Sequence, residues 1–187
     1  MSPGQPDEDA RLMLAFQAGD RAAFENLFAR YTNPLIGFLV RMVPDRGRAE
    51  ELAQETFVRV YGAKDRYQPR AKFSTWIFGI AHNLALNALD RAYRTRAEPL
   101  EPVHEHLGDE LRSDLDEELD AKRTARRIAA ALERLPARQR AAVTLRSEQG
   151  LGYEEIAGVM DTSVSSVKRL LHRAREKLLL ELEEIRS

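Results

Sequence analysis

The sequence predicts an all-α protein in which two small helical domains are joined by an acidic flexible linker, the C-terminal domain containing a helix-turn-helix. Apolar residues recur at helical spacing along most of the chain, whereas the alternation typical of strands is nearly absent. The net charge of −1 conceals +3 in residues 1–96, −9 in residues 97–121 and +5 in residues 122–187. These three ranges are the expected N-terminal domain, linker and C-terminal domain.

The composition excludes several classes of protein. The 187 residues include no cysteine, which rules out disulfides, thiolate metal sites and thiol nucleophiles and suits a reducing compartment. The N-terminus "MSPGQPDEDARLM" lacks the cationic start and apolar run of a signal peptide. No apolar stretch approaches the roughly 20 residues that a membrane span needs. The sequence therefore predicts a cytoplasmic protein without membrane insertion.

The first predicted helix begins near residue 20, where Asp20 follows Gly19 and is a suitable N-cap. Its apolar residues recur at the i, i+3, i+4, i+7 and i+11 positions of one helical face: Phe24, Leu27, Phe28, Tyr31 and Leu35. We expect this face to be buried against the other helices of the N-terminal domain.

Two further helices complete the predicted N-terminal domain. One follows the breaker-rich "VPDRGR" and runs through "AEELAQETFVRVY", with Leu52, Phe57 and Val60 as its apolar residues. A polar loop with aromatic residues, "GAKDRYQPRAK", comes next. The segment "FSTWIFGIAHNLALNALDRAYR" is apolar on most of its circumference, which is typical of a central helix in a bundle. Trp76 and Phe78 of this segment are expected to pack in the core of the bundle.

The composition changes at the predicted linker. Residues 98–120 are rich in Pro, Asp and Glu and poor in large apolar side chains, as solvated linkers are. After them, "TARRIAAALERL" favours a helix because it is rich in alanine. Pro136 suits the first turn of the following helix and Gly150 suits its C-terminal cap. The C-terminal domain is therefore also predicted to be helical.

Residues 150–178, "GLGYEEIAGVMDTSVSSVKRLLHRAREKL", contain two amphipathic segments with a short break between them. Ile156, Ala157 and Met160 line one side of the first segment. In the second, apolar residues recur at spacings of 3, 4, 3 and 4: Val164, Val167, Leu171, Ala174 and Leu178. The break at "DTS" can supply both a tight turn and the cap of the second helix, which predicts a helix-turn-helix.

The outward face of the second segment predicts contact with duplex DNA. The first exposed residues of a recognition helix reach base edges, and cations further along neutralise phosphates. Ser163, Ser165, Ser166 and Arg169 are expected to read bases, and Lys168, Arg173, Arg175 and Lys177 to hold the backbone. His172 lies on the same face. The alternative for this segment is an amphipathic helical hairpin with a solvated charged face.

Motifs in both predicted domains resemble those of bacterial sigma factors, of the extracytoplasmic function (ECF) group in the sigma-70 family. The run "LERLPARQRAAVTLRSEQGLGYEEIAGVM" and the later "VK" and "HRAR" resemble the family's C-terminal domain. "AFENLFARY", "AEELAQETFVRVY" and "FSTWIFGIAHNLALNALDR" resemble its N-terminal domain. The resemblance implies a dissociable specificity subunit that binds core RNA polymerase and promoter DNA, in which the duplex-reading helix serves the −35 element. It also implies a cognate anti-sigma factor as a partner.

The resemblance implies that the helix containing "AEELAQETF" docks on the polymerase clamp helices. Its candidate contact residues are Glu50, Glu51, Leu52, Gln54 and Glu55. The family usually has an acidic residue where Arg48 stands, and its recognition helix commonly reads V-K-S-R-L where this chain has V-K-R-L-L. Both departures concern details of the contacts rather than the family assignment.

The loop "GAKDRYQPRAKFSTW" combines cations with flat rings, which suits unpaired DNA because phosphates attract charge and a splayed base stacks on a ring. The family resemblance implies that this loop and the following helix take up a base extruded from the single-stranded −10 element and help to melt the duplex. The candidate residues are Lys64, Arg66, Tyr67, Arg70, Lys72, Phe73 and Asn83. The acidic linker is suited to connect two DNA-binding domains flexibly.

Two functions other than that of a sigma factor are alternatives for this sequence. An enzyme is not expected, because no catalytic motif is present and His104 and His106 lie on the predicted linker, without the rigid scaffold that a metal site needs. No catalytic residue, metal site or cofactor is therefore predicted. The second alternative is a helix-turn-helix transcription regulator that does not join polymerase. The loop suited to unpaired DNA argues against it, since a duplex-only binder does not need one.

Overall fold

All regular secondary structure in the described residues is helical, which confirms the predicted fold class. The structure, a computed structural model, describes residues 6–96 and 127–184; the predicted linker, His104 and His106 lie outside this range. The helices are α1 (Glu8–Gln17), α2 (Arg21–Met42), α3 (Arg46–Gly62), α4 (Phe73–Arg96), α5 (127–133 in the described range), α6 (Ala137–Ser147), α7 (Tyr153–Val159) and α8 (Val164–Glu184). A 3₁₀ turn spans Lys64–Arg66.

Helices α2, α3 and α4 pack as the sequence predicts, with two differences in detail. Asp20 caps α2 by accepting a hydrogen bond from Ala23 N, which confirms the predicted start. Helix α3 begins inside "VPDRGR", because Asp45 caps it by accepting from Arg48 N. Phe28 was predicted to be buried with the apolar face of α2 but is 46% exposed. Its ring packs on Phe57 at a centroid distance of 4.5 Å, at the edge of the core.

Helix α1 precedes these three and was not predicted from the sequence. Asp7 caps it by accepting a hydrogen bond from Ala10 N, and Glu8 and Asp9 in the first turn favour the positive end of the helix dipole. Ala10, Met13 and Phe16 are buried against the rest of the domain. The capping aspartate and the three-residue apolar spacing are the signals that were available in the sequence.

Helices α5 to α8 form the second domain and include the predicted helix-turn-helix. Pro136 occupies the N-cap of α6, and Gly150, just beyond its end, adopts a left-handed φ of +66° that favours glycine. In the turn between α7 and α8, Asp161 has a φ of +46°. Ser163 then accepts a hydrogen bond from Ser166 N at 3.2 Å and so caps α8. Both predicted signals, the turn and the cap, are therefore present.

The two domains pack directly against each other: α7 lies on α4 and α6 lies on α2. Among the described residues, two ion pairs cross the contact, from Arg41 Nε to Glu148 Oε1 at 3.0 Å and from Lys72 Nζ to Glu155 Oε1 at 2.9 Å. The helices approach so closely that a Cβ atom added to Gly158 would lie 2.8 Å from Thr75 Cγ2. This distance is shorter than ordinary carbon–carbon contact, so glycine at this position permits the packing.

Substituting Gly158 by Ala should weaken the contact between the domains. Alanine normally stabilises a helix relative to glycine by up to about 1 kcal/mol, but here the added methyl group collides with Thr75. We expect Gly158→Ala to lower the free energy of unfolding by ~1–2 kcal/mol, measured by chemical denaturation. The double variant Gly158→Ala, Thr75→Ser removes the colliding Cγ2 atom and should recover most of the loss.

A matched control is Gly37→Ala in α2, where an added Cβ atom meets nothing within 4 Å. This substitution should be neutral or stabilising. Equal effects of alanine at Gly37 and Gly158 would show that the close approach to Thr75 does not limit the packing.

A buried histidine beneath the domain contact predicts sensitivity to acid. His82 is 2% exposed, and its Nδ1 atom has no hydrogen-bond partner in the described part of the chain. Burial, together with the charge of Arg138 in α6, lowers the pKa of His82 to about 4 from an ordinary 6.5. Because the unfolded chain then binds more protons between these two values, the free energy of unfolding should fall as the pH drops through this range.

The free energy of unfolding is expected to fall by about 3 kcal/mol between pH 7 and pH 4. Denaturation at a series of pH values measures this change. His82→Leu should flatten this part of the profile, whereas His172→Ala, which changes an exposed histidine, should leave it intact. A profile that is the same in His82→Leu as in the wild-type protein would contradict the assignment.

Candidate nucleic-acid and polymerase interfaces

The residues predicted to contact duplex DNA lie together on one side of α8. Ser163, Ser165, Lys168, Arg169, His172, Arg173 and Arg175 are exposed and Ser166 is half-buried. Val167 and Ala174 face the core, so the periodicity read from the sequence separates the two faces correctly. The arrangement is a cationic helix surface of the kind that enters a major groove.

The serines at the start of α8 form a hydrogen-bonded cluster. The Ser163 hydroxyl lies 3.0 Å from the Ser165 hydroxyl and 2.9 Å from the Ser166 hydroxyl, in addition to capping the helix. Arg169 Nη2 donates to Ser166 Oγ at 3.1 Å. The Ser163 hydroxyl is therefore engaged in capping α8, and the guanidinium of Arg169 is held over the first turn of the helix.

Two residues beside this face were not predicted from the sequence. The ring of Tyr153, the first residue of α7, is 42% exposed. The guanidinium carbon of Arg146 lies 5.2 Å and Lys168 Nζ lies 5.9 Å from its centroid. Arg146 also donates a hydrogen bond to Leu151 O at 2.9 Å. These cation–π contacts join cations from α6 and α8 into one positive surface, which only the tertiary structure reveals.

The loop between α3 and α4 forms one wall of a cleft of about 760 Å³, hereafter the loop cleft. Arg66, Arg70, Trp76 and Asn83 line it from the first domain. The opposite wall belongs to the second domain and consists of Gly158, Val159 and Asp161. Cations, an aromatic ring and an amide thus converge on one concave site, and the helix-turn-helix domain partly covers it.

Two of the predicted loop residues, Tyr67 and Phe73, are buried. Tyr67 and Phe73 are 6% and 0% exposed and pack beside Trp76, with centroid distances of 4.9 and 5.7 Å. Burial, helped by Asp7 and Asp9, raises the pKa of Tyr67 to about 12. The prediction that Phe73 contacts DNA is corrected, because its ring is completely buried and does not line the loop cleft; Tyr67 lines the cleft but is nearly buried in its floor. Trp76, predicted to be a core residue, is half-buried and lines the cleft, whereas Phe78 is buried as predicted.

Lys64 and Lys72 lie outside the lining of the loop cleft. Lys64 Nζ sits 5.1 Å from the centroid of the Phe16 ring. Lys72 pairs with Glu155, and the hydrogen bond between them raises the pKa of the lysine. Burial would raise the pKa of Glu155, but the hydrogen bond from Gly152 N and the contact with Lys72 lower it. Both cations are therefore engaged within the protein in this conformation.

The α3 residues predicted to dock on polymerase form an exposed strip, with one exception. Glu50, Glu51 and Gln54 are exposed and Glu55 is half-buried. Leu52 is only 1% exposed, so the prediction that it supplies the apolar contact is wrong: it belongs to the buried stripe of α3. The apolar side chains that reach the surface here are Val58, 70% exposed, and Tyr61, 54% exposed, with Phe28 of α2.

Comparison with known proteins identifies the family. A family model for sigma-70 region 2 matches residues 27–95, and one for sigma-70 region 4 matches residues 125–178. The chain is 32% identical over 185 residues to the RNA polymerase sigma-H factor of Pseudomonas aeruginosa, covering 92% of each protein. It is 34% identical over 176 residues to the ECF RNA polymerase sigma-E factor of Escherichia coli K12, covering 91% of this chain and 92% of that one.

The chain belongs to the ECF group of the sigma-70 family. It is therefore a promoter-specificity subunit of bacterial RNA polymerase, and the alternative of a regulator that does not join polymerase is not favoured. Solved structures agree with the fold. The structure of CnrH in complex with the cytosolic domain of CnrY matches with a TM-score of 0.71 and 26% identity, covering 95% of this sigma factor and 99% of that chain.

A second solved structure supports the same fold. The sigma factor RpoE in complex with the anti-sigma factor NepR, from Bartonella quintana, matches with a TM-score of 0.67 at 22% identity, covering 86% of this sigma factor and 96% of that chain. Within this sigma factor, the region 2 match covers most of α2, all of α3 and nearly all of α4, and the region 4 match covers α5, α6, α7 and most of α8. Helix α1 precedes both. No helix in the described ranges could cross a lipid bilayer.

Proposed function

We propose that this sigma factor reads a promoter at two places, with α8 on the −35 duplex and the loop cleft on the single-stranded −10 element, while α3 docks on core polymerase. The single observation that carries the proposal is that one chain of the sigma-70 family has two chemically different surfaces, each suited to binding DNA. One is an exposed cationic helix face. The other is a cleft lined by cations and an aromatic ring.

The α8 surface supports duplex reading because residues suited to base contact lie near the start of the helix and residues suited to phosphate contact follow them. Arg169 lies near the start and can bond the O6 and N7 atoms of a guanine in the major groove. Arg173 and Arg175 follow on the exposed side, where phosphates would lie. Tyr153, held between two cations, adds a flat surface beside them. Base reading is therefore assigned to the first turns and backbone contact to the rest.

The loop cleft supports capture of an unpaired base. Extruding a base costs a few kcal/mol of stacking, which a site must return through stacking and hydrogen bonds. The half-buried Trp76 offers a ring, Asn83 offers an amide, and the exposed Arg66 and Arg70 offer charge to the flanking phosphates. Because α7 forms the opposite wall, we infer that the domains separate when a DNA strand enters.

The exposed strip of α3 is the proposed docking surface for polymerase, with Glu50, Glu51, Gln54 and Glu55 as polar contacts and Val58 as an apolar one. A cognate anti-sigma factor is a second proposed partner, as the Bartonella quintana sigma factor is in complex with one, and we assign it to the same strip. We place the protein in the cytoplasm, where core polymerase acts, and assign it no catalytic activity and no cofactor of its own.

Transcription of fragmented genomic DNA by core polymerase and the purified chain tests the proposal as a whole. The pair should start transcription at discrete sites that core polymerase alone does not use, and these sites supply promoters for the two variants below. Transcripts without defined start sites would rule out the proposed function.

Arg169→Ala should weaken binding to the −35 element in a sequence-selective way. Losing one bidentate base contact costs about 1–3 kcal/mol of discrimination at a single base pair. Binding of the holoenzyme to −35 duplexes with each base pair at that position measures this loss. The matched variant Arg175→Ala should weaken all of these duplexes alike and reduce the salt dependence. A uniform loss for Arg169→Ala as well would mean that this side chain touches only phosphate.

The double variant Arg66→Ala, Arg70→Ala should impair promoter opening more on duplex DNA than on a template with a pre-melted bubble. Both side chains are exposed, so folding should be unaffected, while the captured strand loses two phosphate contacts. We expect open complexes to form about tenfold more slowly on duplex, equivalent to ~1.4 kcal/mol, followed by a fluorescent base in the −10 element.

The control for this experiment is Arg11→Ala, Arg21→Ala, which removes two exposed arginines outside the cleft lining. It should open promoters at the wild-type rate. An equal defect of the Arg66, Arg70 variant on duplex and pre-melted templates would assign these residues to DNA binding without a role in melting.

A further inference from the structure

The loop that carries the proposed −10 contacts is held at both ends by helix α1. At its C-terminal end, one carboxylate joins two helix starts: Asp7 Oδ1 accepts from Ala10 N at 2.6 Å, and Asp7 Oδ2 accepts from Phe73 N at 3.2 Å. The same side chain therefore caps α1 and binds the first residue of α4. The end of the loop cannot shift away from α1 without losing this second bond.

At its N-terminal end the loop is held by Gln17, the last residue of α1. Gln17 Nε2 donates to Lys64 O at 2.8 Å and reaches Tyr67 O at 3.4 Å. These carbonyls belong to the 3₁₀ turn and to the residue that follows it. The side chain of Lys64 also folds back over the Phe16 ring. Between the two fixed ends, residues 68–72 are all exposed.

Helix α1 is itself fixed to the core, so it can serve as a support. The Tyr31 hydroxyl donates to Asp9 Oδ2 at 2.6 Å, and Arg30 pairs with both Asp9 and Glu8. Met13 and Phe16 are buried, and the Phe16 ring contacts those of Phe24 and Tyr61. A displacement of α1 would break these contacts, and a displacement of the loop would break those to Gln17 and Asp7.

We propose that Gln17 and Asp7 are positioning residues that set the shape of the loop cleft and thereby its selectivity for the −10 base. They touch no DNA; they fix the backbone from which Arg66, Gln68 and Arg70 project and the first turn of the helix that carries Trp76. The inference rests on the proposed function of the loop cleft. It assigns a role in promoter reading to a helix that lies before the region 2 match at residues 27–95.

Gln17→Met is the informative variant, because methionine keeps the length, flexibility and helix propensity of glutamine but cannot donate a hydrogen bond. Gln17→Lys restores a donor. Gln149→Met, at a residue that is also half-buried but lies in the second domain, is the matched control. All three are assembled with core polymerase and presented with a pool of short single-stranded DNA that contains a randomised central block, and the bound fraction is sequenced.

The wild-type holoenzyme should enrich one base at a defined position of the pool. Gln17→Met should reduce that enrichment about fivefold while total binding of the pool stays within about twofold. Gln17→Lys and Gln149→Met should keep the wild-type enrichment. Hydrogen exchange of the amides in residues 63–72 should become faster in Gln17→Met alone, which shows that the loop has been released.

Unchanged enrichment in Gln17→Met, with faster exchange in the loop, would overturn the proposal, because a released loop would then read DNA as well as a fixed one. Equal loss of all sequences would also overturn it, since it would indicate general damage. A wild-type holoenzyme that enriches no base would instead reject the proposed function of the cleft. If Gln17→Met does not fold, the Gln17→Lys and Gln17→Arg variants decide: donors that fail to preserve enrichment contradict the role assigned to the hydrogen bonds.

Discussion

The packing of α4 between the two domains is the constraint on which the rest of the structure depends. Phe73, Ile77, Ala81 and Ala85 recur every four residues along α4 and are completely buried. Full burial of a large apolar side chain contributes roughly 1.5–3 kcal/mol, so this stripe ties α4 firmly to the first domain. The other side of the helix accepts α7. Helix α4 therefore contacts both the loop before it and the helix-turn-helix beside it, and helps to set the position of each.

Because α4 contributes to both the domain contact and the loop cleft, the packing of the domains bears on the proposed entry of DNA into the cleft. The cleft wall formed by α4 and its preceding loop is faced by Gly158, Val159 and Asp161, so a DNA strand bound in the cleft as proposed would compete with α7 for neighbouring surface. The ion pairs at the contact are Arg41–Glu148 and Lys72–Glu155. Both involve partly exposed side chains, and such pairs typically contribute less than about 1 kcal/mol. The close approach at Gly158 and the buried apolar residues must therefore supply most of the stability of this contact.

Much of the fold could be predicted from the sequence because its signals are local. The cap at Asp20, the helix start near Pro136 and the apolar spacing of α8 depend on residues a few positions apart. For Leu52 two signals conflict: its helical spacing from Phe57 and Val60 indicates the buried stripe of α3, whereas the family resemblance implies an exposed contact residue. The periodicity was the better guide, since all three residues are buried.

The details of the loop cleft could not be predicted because they depend on distant residues. Gln17 and Lys64 are 47 positions apart, and Asp7 and Phe73 are 66 apart, so no local pattern connects them. Cations interleaved with aromatic residues predicted a site for unpaired DNA, but not which rings would be buried. Tyr67 and Phe73 lie in the core, and the backbone of each is hydrogen-bonded by a residue of α1 or by its N-cap. Trp76 is left to line the cleft.

The energetics of the α3 surface follow from its charges. Each carboxylate of the proposed docking strip is already paired with an arginine of the same helix: Arg46–Glu50 at 3.1 Å, Arg48–Glu51 at 2.7 Å and Arg59–Glu55 at 2.8 Å. A partner that contacts these carboxylates must exchange one exposed ion pair for another, and the net gain from such an exchange is small. Burying Val58, Tyr61 and Phe28 requires no such exchange, because apolar side chains have no ion-pair partner to lose. The affinity of this surface should therefore reside in its apolar residues, whereas its carboxylates select a partner of positive charge and fix the register of docking.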